Sequence, residues 1–282
     1  MTTDDRPGTA SEGRPVIAAG LDAAEPAARG SVAAGPVAAE PAAAEPAAGG
    51  PVARGPAAAA SVAAGPAAAG SVATLLVLAD GRLPAGGHAH SSGLEAQVSV
   101  GRIRGLPDLE AFLRGRLATG GLVASAFAAC TRTHAVEDLD RAFEVRTPSP
   151  ALRHASRAQG KALLRAGRAM WPVPALHRAD VHQPVALGVV AAAAGLAPEQ
   201  AAVAAAWGTI SGPASAAVRL LGLDPYGVHA LLARLASDCD AIAARAMTYL
   251  EKSLDDLPAD GAPLLDIGAE HHATWEVRLF AS

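Results

Sequence analysis

From Val228 to Tyr249 the apolar positions advance by four and three in alternation: Val228, Leu232, Leu235, Cys239, Ile242, Ala246 and Tyr249. That spacing draws one stripe along a helix for about three heptads and predicts packing against a second helix. Asp224-Pro225 opens it, with a carboxylate suited to cap the first turn and a proline suited to occupy it. A similar stripe runs through Leu109, Leu113, Arg116 or Leu117, Gly120, Val123 and Phe127. Its glycines, Gly115, Gly120 and Gly121, weaken that helix and predict close approach of a neighbour. A third helix, over roughly 150–170, turns Leu152, Ala155, Gln159, Leu163 and Ala166 inward. A further one runs from Pro198 to about Leu221 and is expected to break or bend at Gly212-Pro213. Thr147-Pro148, Ser149-Pro150 and Ala197-Pro198 mark other helix starts. Strand patterns are nearly absent. The pattern predicts an all-α, bundle-like domain of about seven to ten helices joined by short turns.

The pattern fails at the N-terminal end. Residues 1–73 are almost wholly Ala, Gly, Pro, Val and Ser, without an aromatic residue and with Leu21 as the one leucine. So little apolar surface cannot offset the entropy of ordering, and the prolines interrupt any helix that alanine favours. The expectation is a disordered low-complexity extension over 1–73 and a folded domain over 74–282. The opening "MTTDDRPGTA" is acidic and lacks the basic-then-apolar order of a secretory signal, so a cytoplasmic protein is expected.

Charge narrows the functional classes. The chain carries a formal charge of −4, and seven acids against four bases in the extension account for most of it. A near-neutral folded domain argues against general nucleic-acid binding. No uninterrupted apolar run reaches the roughly 18 residues that span a bilayer, so no membrane association is expected. Cys130 and Cys239 each lie in apolar helical pattern and read as buried thiols rather than a disulfide.

Three features could carry chemistry. In "LPAGGHAHSSGLE", residues 83–95, the paired glycines allow positive φ, and Ser92-Gly93-Leu94-Glu95 has capping-box spacing for a short helix ending near Gly101. His88 and His90 would face the same side of an extended segment and could meet one ion. No carboxylate–histidine set stands nearby to complete a permanent metal site; His271 or His272 could join only through folding. The third feature is a cationic ridge of Arg153, Arg157, Lys161, Arg165 and Arg168, which reads either as a solvated face or as a dock for an acidic partner. Phosphate loops, nucleophile elbows, His-Glu-x-x-His and Cys-x-x-Cys are all missing. Residue pattern alone thus describes a helical domain that is not expected to be an enzyme. Two other readings stay open: a helical metal-binding enzyme built on His88 and His90 with His271 or His272, and a helical DNA-binding regulator using the ridge at 153–168.

Four segments in order carry a resemblance. "LLVLADGRLPAGGHAHSSGLEAQVSVGRI", "ALRHASRAQGKALLR", "GLAPEQAAVAAAWGTISGPASAAVRLLGLDPYG" and "PLLDIGAEHHATWEVRLFAS" together resemble the UreF family of urease accessory proteins, in an actinobacterial-like variant, across essentially the whole of 74–282. The resemblance implies an all-α, dimeric protein with no activity or cofactor of its own. It implies a scaffold that binds a UreH/UreD-type accessory protein, recruits and regulates the nickel-carrying GTPase UreG, and docks on apo-urease. Leu83, Pro84 and Gly86 then match the family's turn, and Ser91, Gly93, Leu94 and Glu95 the start of its helix, so the stretch, with His88 and His90, is expected to be mainly structural and to contact a partner. His88 and His90 stand where the family has Phe and Tyr, and become candidates for passing contacts with nickel. Arg278, Leu279 and Phe280 match the family's terminal Arg-Leu-Phe, expected to pack into the UreH/UreD-type partner, with Phe280 as the anchor of a flexible tail. The family's next arginine is Ala281 here. Arg153 and Arg157 belong to the segment that resembles the family's central helix, and the ridge they open is expected to meet a partner.

Overall fold

The computed structural model describes residues 70–282, so the extension expected over 1–73 lies, as far as residue 69, outside the described residues. Ten α-helical segments follow: α1 (Val72–Ala79), α2 (Leu94–Ser99), α3 (Leu106–Arg116), α4 (Leu122–Cys130), α5 (Val136–Val145), α6 (Pro150–Met170), α7 (Gln183–Ala193), α8 (Pro198–Leu221), α9 (Pro225–Met247) and α10 (Pro263–Ala273). A π turn at Leu117–Gly121 fuses α3 and α4 into one rod. The described residues contain no strand, and the all-α class expected from the pattern is the fold observed. The first helix begins inside the segment whose composition reads as extension. Ser71 Oγ caps it by accepting the Thr74 N–H at 3.2 Å, and the Gly70 N–H donates to Gly195 O at 2.6 Å.

α8 is the centre. It packs against α4, α7 and α9, with α1, α2 and α3 at its flanks. Its buried positions are chiefly alanines, such as Ala202, Ala206, Ala214 and Ala217. Each buries little apolar area, so the core must gain its stability from close approach and dense contact. Two details show that closeness. Ser125 Oγ on α4 donates to Ala202 O across the interface at 3.0 Å. A Cβ at Gly188 on α7 would sit 2.2 Å from Ala128 O, so only glycine fits there. By length and composition α8 could cross a membrane, but it serves here as the core helix.

The heptad stripe of α9 is buried as the spacing predicts at Val228, Leu232, Leu235, Cys239 and Ala246, while Ile242 is half-buried. Asp224 caps it, accepting the Tyr226 and Gly227 N–H groups at 3.2 and 3.0 Å. Tyr249 falls beyond the helix end, in the following turn. Both cysteines are free and buried, and burial pushes each thiol up to about 11.

Two expectations are narrowed. Of the break or bend expected at Gly212-Pro213, the break does not occur: α8 continues for 24 residues with Pro213 inside it. Pro213 has no N–H to offer Thr209 O, and the Arg116 guanidinium replaces it, with Nε 3.3 Å from that oxygen. A tertiary donor thus satisfies the carbonyl that would otherwise open the helix. Among the glycines of the α3–α4 rod, only Gly121 meets a close neighbour, with Thr209 Cγ2 3.4 Å from where its Cβ would be; Gly115 and Gly120 face open space.

Candidate partner-binding surface

The turn before α2 is built from left-handed glycines, Gly86 at φ 76° and Gly93 at φ 87°. Leu83 is half-buried against the α1–α7 core, and Pro84 is exposed. His88 and His90 do not lie in an extended segment: Gly87–Ala89 forms a 3-10 turn, and the two histidines have different surroundings. His88 is exposed. His90 is half-buried, with Nδ1 2.6 Å from Ser282 Oγ, and burial, reinforced by the nearby His88, lowers its pKa.

The capping box also takes another form. Ser92 sits at φ 55°, and no Ser92 cap forms. Ser91 Oγ accepts the Glu95 N–H instead, at 3.2 Å. Glu95 does not reach back to its own helix. One carboxylate oxygen accepts the Leu279 N–H at 2.8 Å; the other accepts the Phe280 N–H at 3.0 Å and lies 2.8 Å from His272 Nε2. This carboxylate is only 8% exposed, and three N–H donors compensate its burial. His272, one of the prospective metal ligands, is therefore occupied, whereas His271 is exposed and accepts from Trp275 Nε1 at 3.3 Å.

The tail is consequently docked rather than free. Phe280 is 2% exposed within the cluster that includes Leu94, Ala217 and Leu235, and Arg219 lies 4.4 Å above its ring. The anchor expected to enter a partner is buried in its own chain, because Glu95 fixes the main chain on either side of Leu279. Arg278 and Leu279 remain exposed. With Val277, and with Leu264 and Ile267 one turn apart on α10, they leave apolar side chains open to solvent in the last segment. α1 exposes Val72 and Leu76, also one turn apart.

The cationic ridge divides. Arg157 reaches Asp140 Oδ2 at 3.1 Å, pairs with Glu144, and donates to Asp180 O at 2.8 Å. Arg153 meets Glu144 at 3.2 Å and donates to Thr147 O at 2.7 Å. These two arginines cross-link α5 and α6 within the chain. Lys161, Arg165 and Arg168 are exposed and form no ion pair among the described residues. Beneath the pairs, His182 is fully buried, with Nε2 2.8 Å from Glu144 and its N–H donated to Asp140 at 2.7 Å. Burial pushes the His182 imidazole pKa down, and the Glu144 bond offsets this only in part. For Glu144 burial favours the neutral acid, but the bonds from His182 and Arg157 outweigh it and hold its pKa low. The sequence pattern singled out neither Asp140, Glu144 nor His182; acids at i and i+4 on α5 facing arginine on α6 were the one available signal.

Fold and surface together define an all-α domain whose exposed large apolar side chains lie mostly on its first helix and in its last segment. The described residues contain no cluster of three or more potential metal ligands. A family model described as UreF matches residues 103–236. The urease accessory protein UreF of Mycobacterium sp. (strain JLS) is 48% identical over 215 residues, covering 74% of this chain and 98% of that protein. The proteins of the same name from Mycobacterium marinum and Mycobacterium tuberculosis (strain H37Ra) are 44% and 42% identical, each over 214 residues and 98% of their length. The chain belongs to the UreF family of urease accessory proteins.

Proposed function

We propose that this chain is a non-catalytic maturation factor for urease, acting in the cytoplasm as a homodimer within a larger complex. It binds a UreH/UreD-type accessory protein through its last segment and recruits a UreG-type GTPase, so that nickel enters apo-urease in the assembled complex. Nickel is cargo in this reading, and the chain holds no resident metal. The observation that carries the proposal is family membership along nearly the full length of the relatives. The exposed Leu264, Ile267, Val277 and Leu279 support it, since solvent-facing apolar side chains concentrated in one segment suit a protein interface. Docking of the tail refines the expected contact: Arg278 and Leu279 face outward for a partner, and Phe280 shapes their path from below.

Co-expression of the full chain with the UreH/UreD and UreG proteins of one organism tests this, read by size exclusion with mass determination. The expected result is a defined complex that is weakened when Leu264 and Leu279 are both changed to Asp. A chain that elutes alone beside its well-folded prospective partners would sink the proposal.

A further inference from the structure

The connection from Pro172 to His182 carries the chain from the end of α6 to the start of α7. Main-chain bonds join it to those two helices at its ends. Otherwise, among the described residues, its hydrogen bonds to the rest of the domain all gather at residues 180–182. Arg157 Nη1 donates to Asp180 O at 2.8 Å, the His182 N–H donates to Asp140 at 2.7 Å, and His182 Nε2 lies 2.8 Å from Glu144. A glycine lets this end sit directly on α6, since a Cβ at Gly160 would fall 2.0 Å from Val181 O. His182 is fully buried, with its ring centroid 5.0 Å from that of Phe143. A cavity of about 490 Å³ lies beside this knot, lined by Asp140, Glu144, Arg157, Leu176 and Val181 among others.

The charges that bond in this knot balance while the His182 ring is neutral. Asp140 and Glu144 on α5 face Arg153 and Arg157 on α6, two against two. Arg178 and Asp180 of the connection pair with each other; Glu137 and Arg141 also line the cavity, and Arg141 pairs with Asp138. With Glu144 ionised, Nε2 carries the ring hydrogen, and the buried Nδ1 has no hydrogen-bond partner among the described residues. A second proton would make that atom a donor with nothing to accept it, in a site whose carboxylates already have their cations. The ring reaches water for that proton only by leaving. We infer that protonation of His182 releases the connection at 172–182 from the α5–α6 face while the helices remain folded. Release of one loop from a packed frame costs less than unfolding the frame, so this opening comes first. It bares Leu176 and Val181, which otherwise pack against the α7 core cluster. The inference rests on bonds within this chain and not on the identity of its partners.

Amide hydrogen exchange of the full chain at pH 7.5 and 5.5 is the test, read by NMR and corrected for intrinsic rates. The reporters are the main-chain N–H groups of His182 and Gln183, bonded to Asp140 and to Ser156 Oγ. The released ring takes up its proton near the usual 6.5 while the docked ring stays neutral. Protection at both amides should therefore fall about tenfold between the two pH values. It should also lie about tenfold or more below that of α9 at each pH, because α9 opens only by unfolding. His182→Gln keeps an N–H for Glu144 and cannot titrate, so its protection should not change with pH. The double variant His154→Gln/His177→Gln removes the exposed histidines of α6 and the connection and should behave as wild type. Equal protection of wild type at the two pH values overturns the inference. So does protection equal to that of α9, or a fall that persists in His182→Gln. Should His182→Gln not fold, the double variant decides: a fall that survives it supports His182, and a fall that it abolishes overturns the inference.

Discussion

Two carboxylate centres, one around buried Glu95 and one around buried Asp140, hold this domain, and they are built differently. Glu95 accepts only from N–H groups of the last segment, two on the main chain and one on His272. Asp140 and Glu144 accept from the side chains of Arg153, Arg157 and His182 and from one main-chain N–H, and so join α5, α6 and the start of α7. The first centre fastens a terminal segment that has no helix beyond Ala273. The second lies between helices that cannot separate without unfolding. A bond that restrains a terminal segment can cost no more than that segment's docking energy, whereas a bond inside a helix junction carries the stability of the junction.

The largest expected effect follows from that contrast. Asp140→Ala leaves the His182 main-chain N–H without its partner and the Arg157 guanidinium with Glu144 and Asp180 O alone, in a site where Asp140 is 4% exposed, and should cost about 3–5 kcal/mol in urea unfolding. A loss below that of Glu95→Ala would reverse the ranking of the two centres. Glu95→Ala comes next, at about 2–3 kcal/mol, limited because its orphaned donors can reach water once the tail detaches. Deleting residues 278–282 in that background should then change stability little further. Full additivity of the two changes would show that Glu95 supports something other than the tail.

Acid should act on the second centre first. The unfolded imidazole of His182 takes up its proton near the usual 6.5, while the buried one resists, so proton binding favours unfolding. Stability from this group is complete above 6.5 and declines as pH falls below it. Glu144, held below its usual 4.5, adds a further loss only as pH drops through its own depressed value. Urea midpoints between pH 7.5 and 5.5 should therefore fall in wild type and fall less steeply in His182→Gln; parallel slopes would remove His182 from the account. The smallest effect belongs to Arg141→Ala, whose exposed pair with Asp138 should be worth within about 0.5 kcal/mol.

The stripe of α9, its Asp224 cap and the all-helical class were legible because periodicity and capping are local, and the buried residues of α9 follow the four-and-three spacing. The continuity of α8 was not, since Arg116 repairs the Pro213 site from another helix. Ser92 and Glu95 show the same limit. Their spacing fits a capping box, yet a left-handed backbone at Ser92 and the arrival of the tail redirect both side chains. Arg153 and Arg157 share a ridge with Lys161 by sequence, and only the position of α5 separates paired arginines from solvated ones.

By itself, the sequence determined that this chain is helical, where its longest helices start, and which family it resembles. Each of those depends on residues within a few turns of one another, or on motif order along the chain. The tertiary structure alone decided that Phe280 is buried, that Glu95 binds the tail, and that His88 and His90 sit on a turn shaped by residues nearly two hundred positions away. A carboxylate with several acceptor sites bonds to whichever donors packing delivers, and no local spacing records which donors those are.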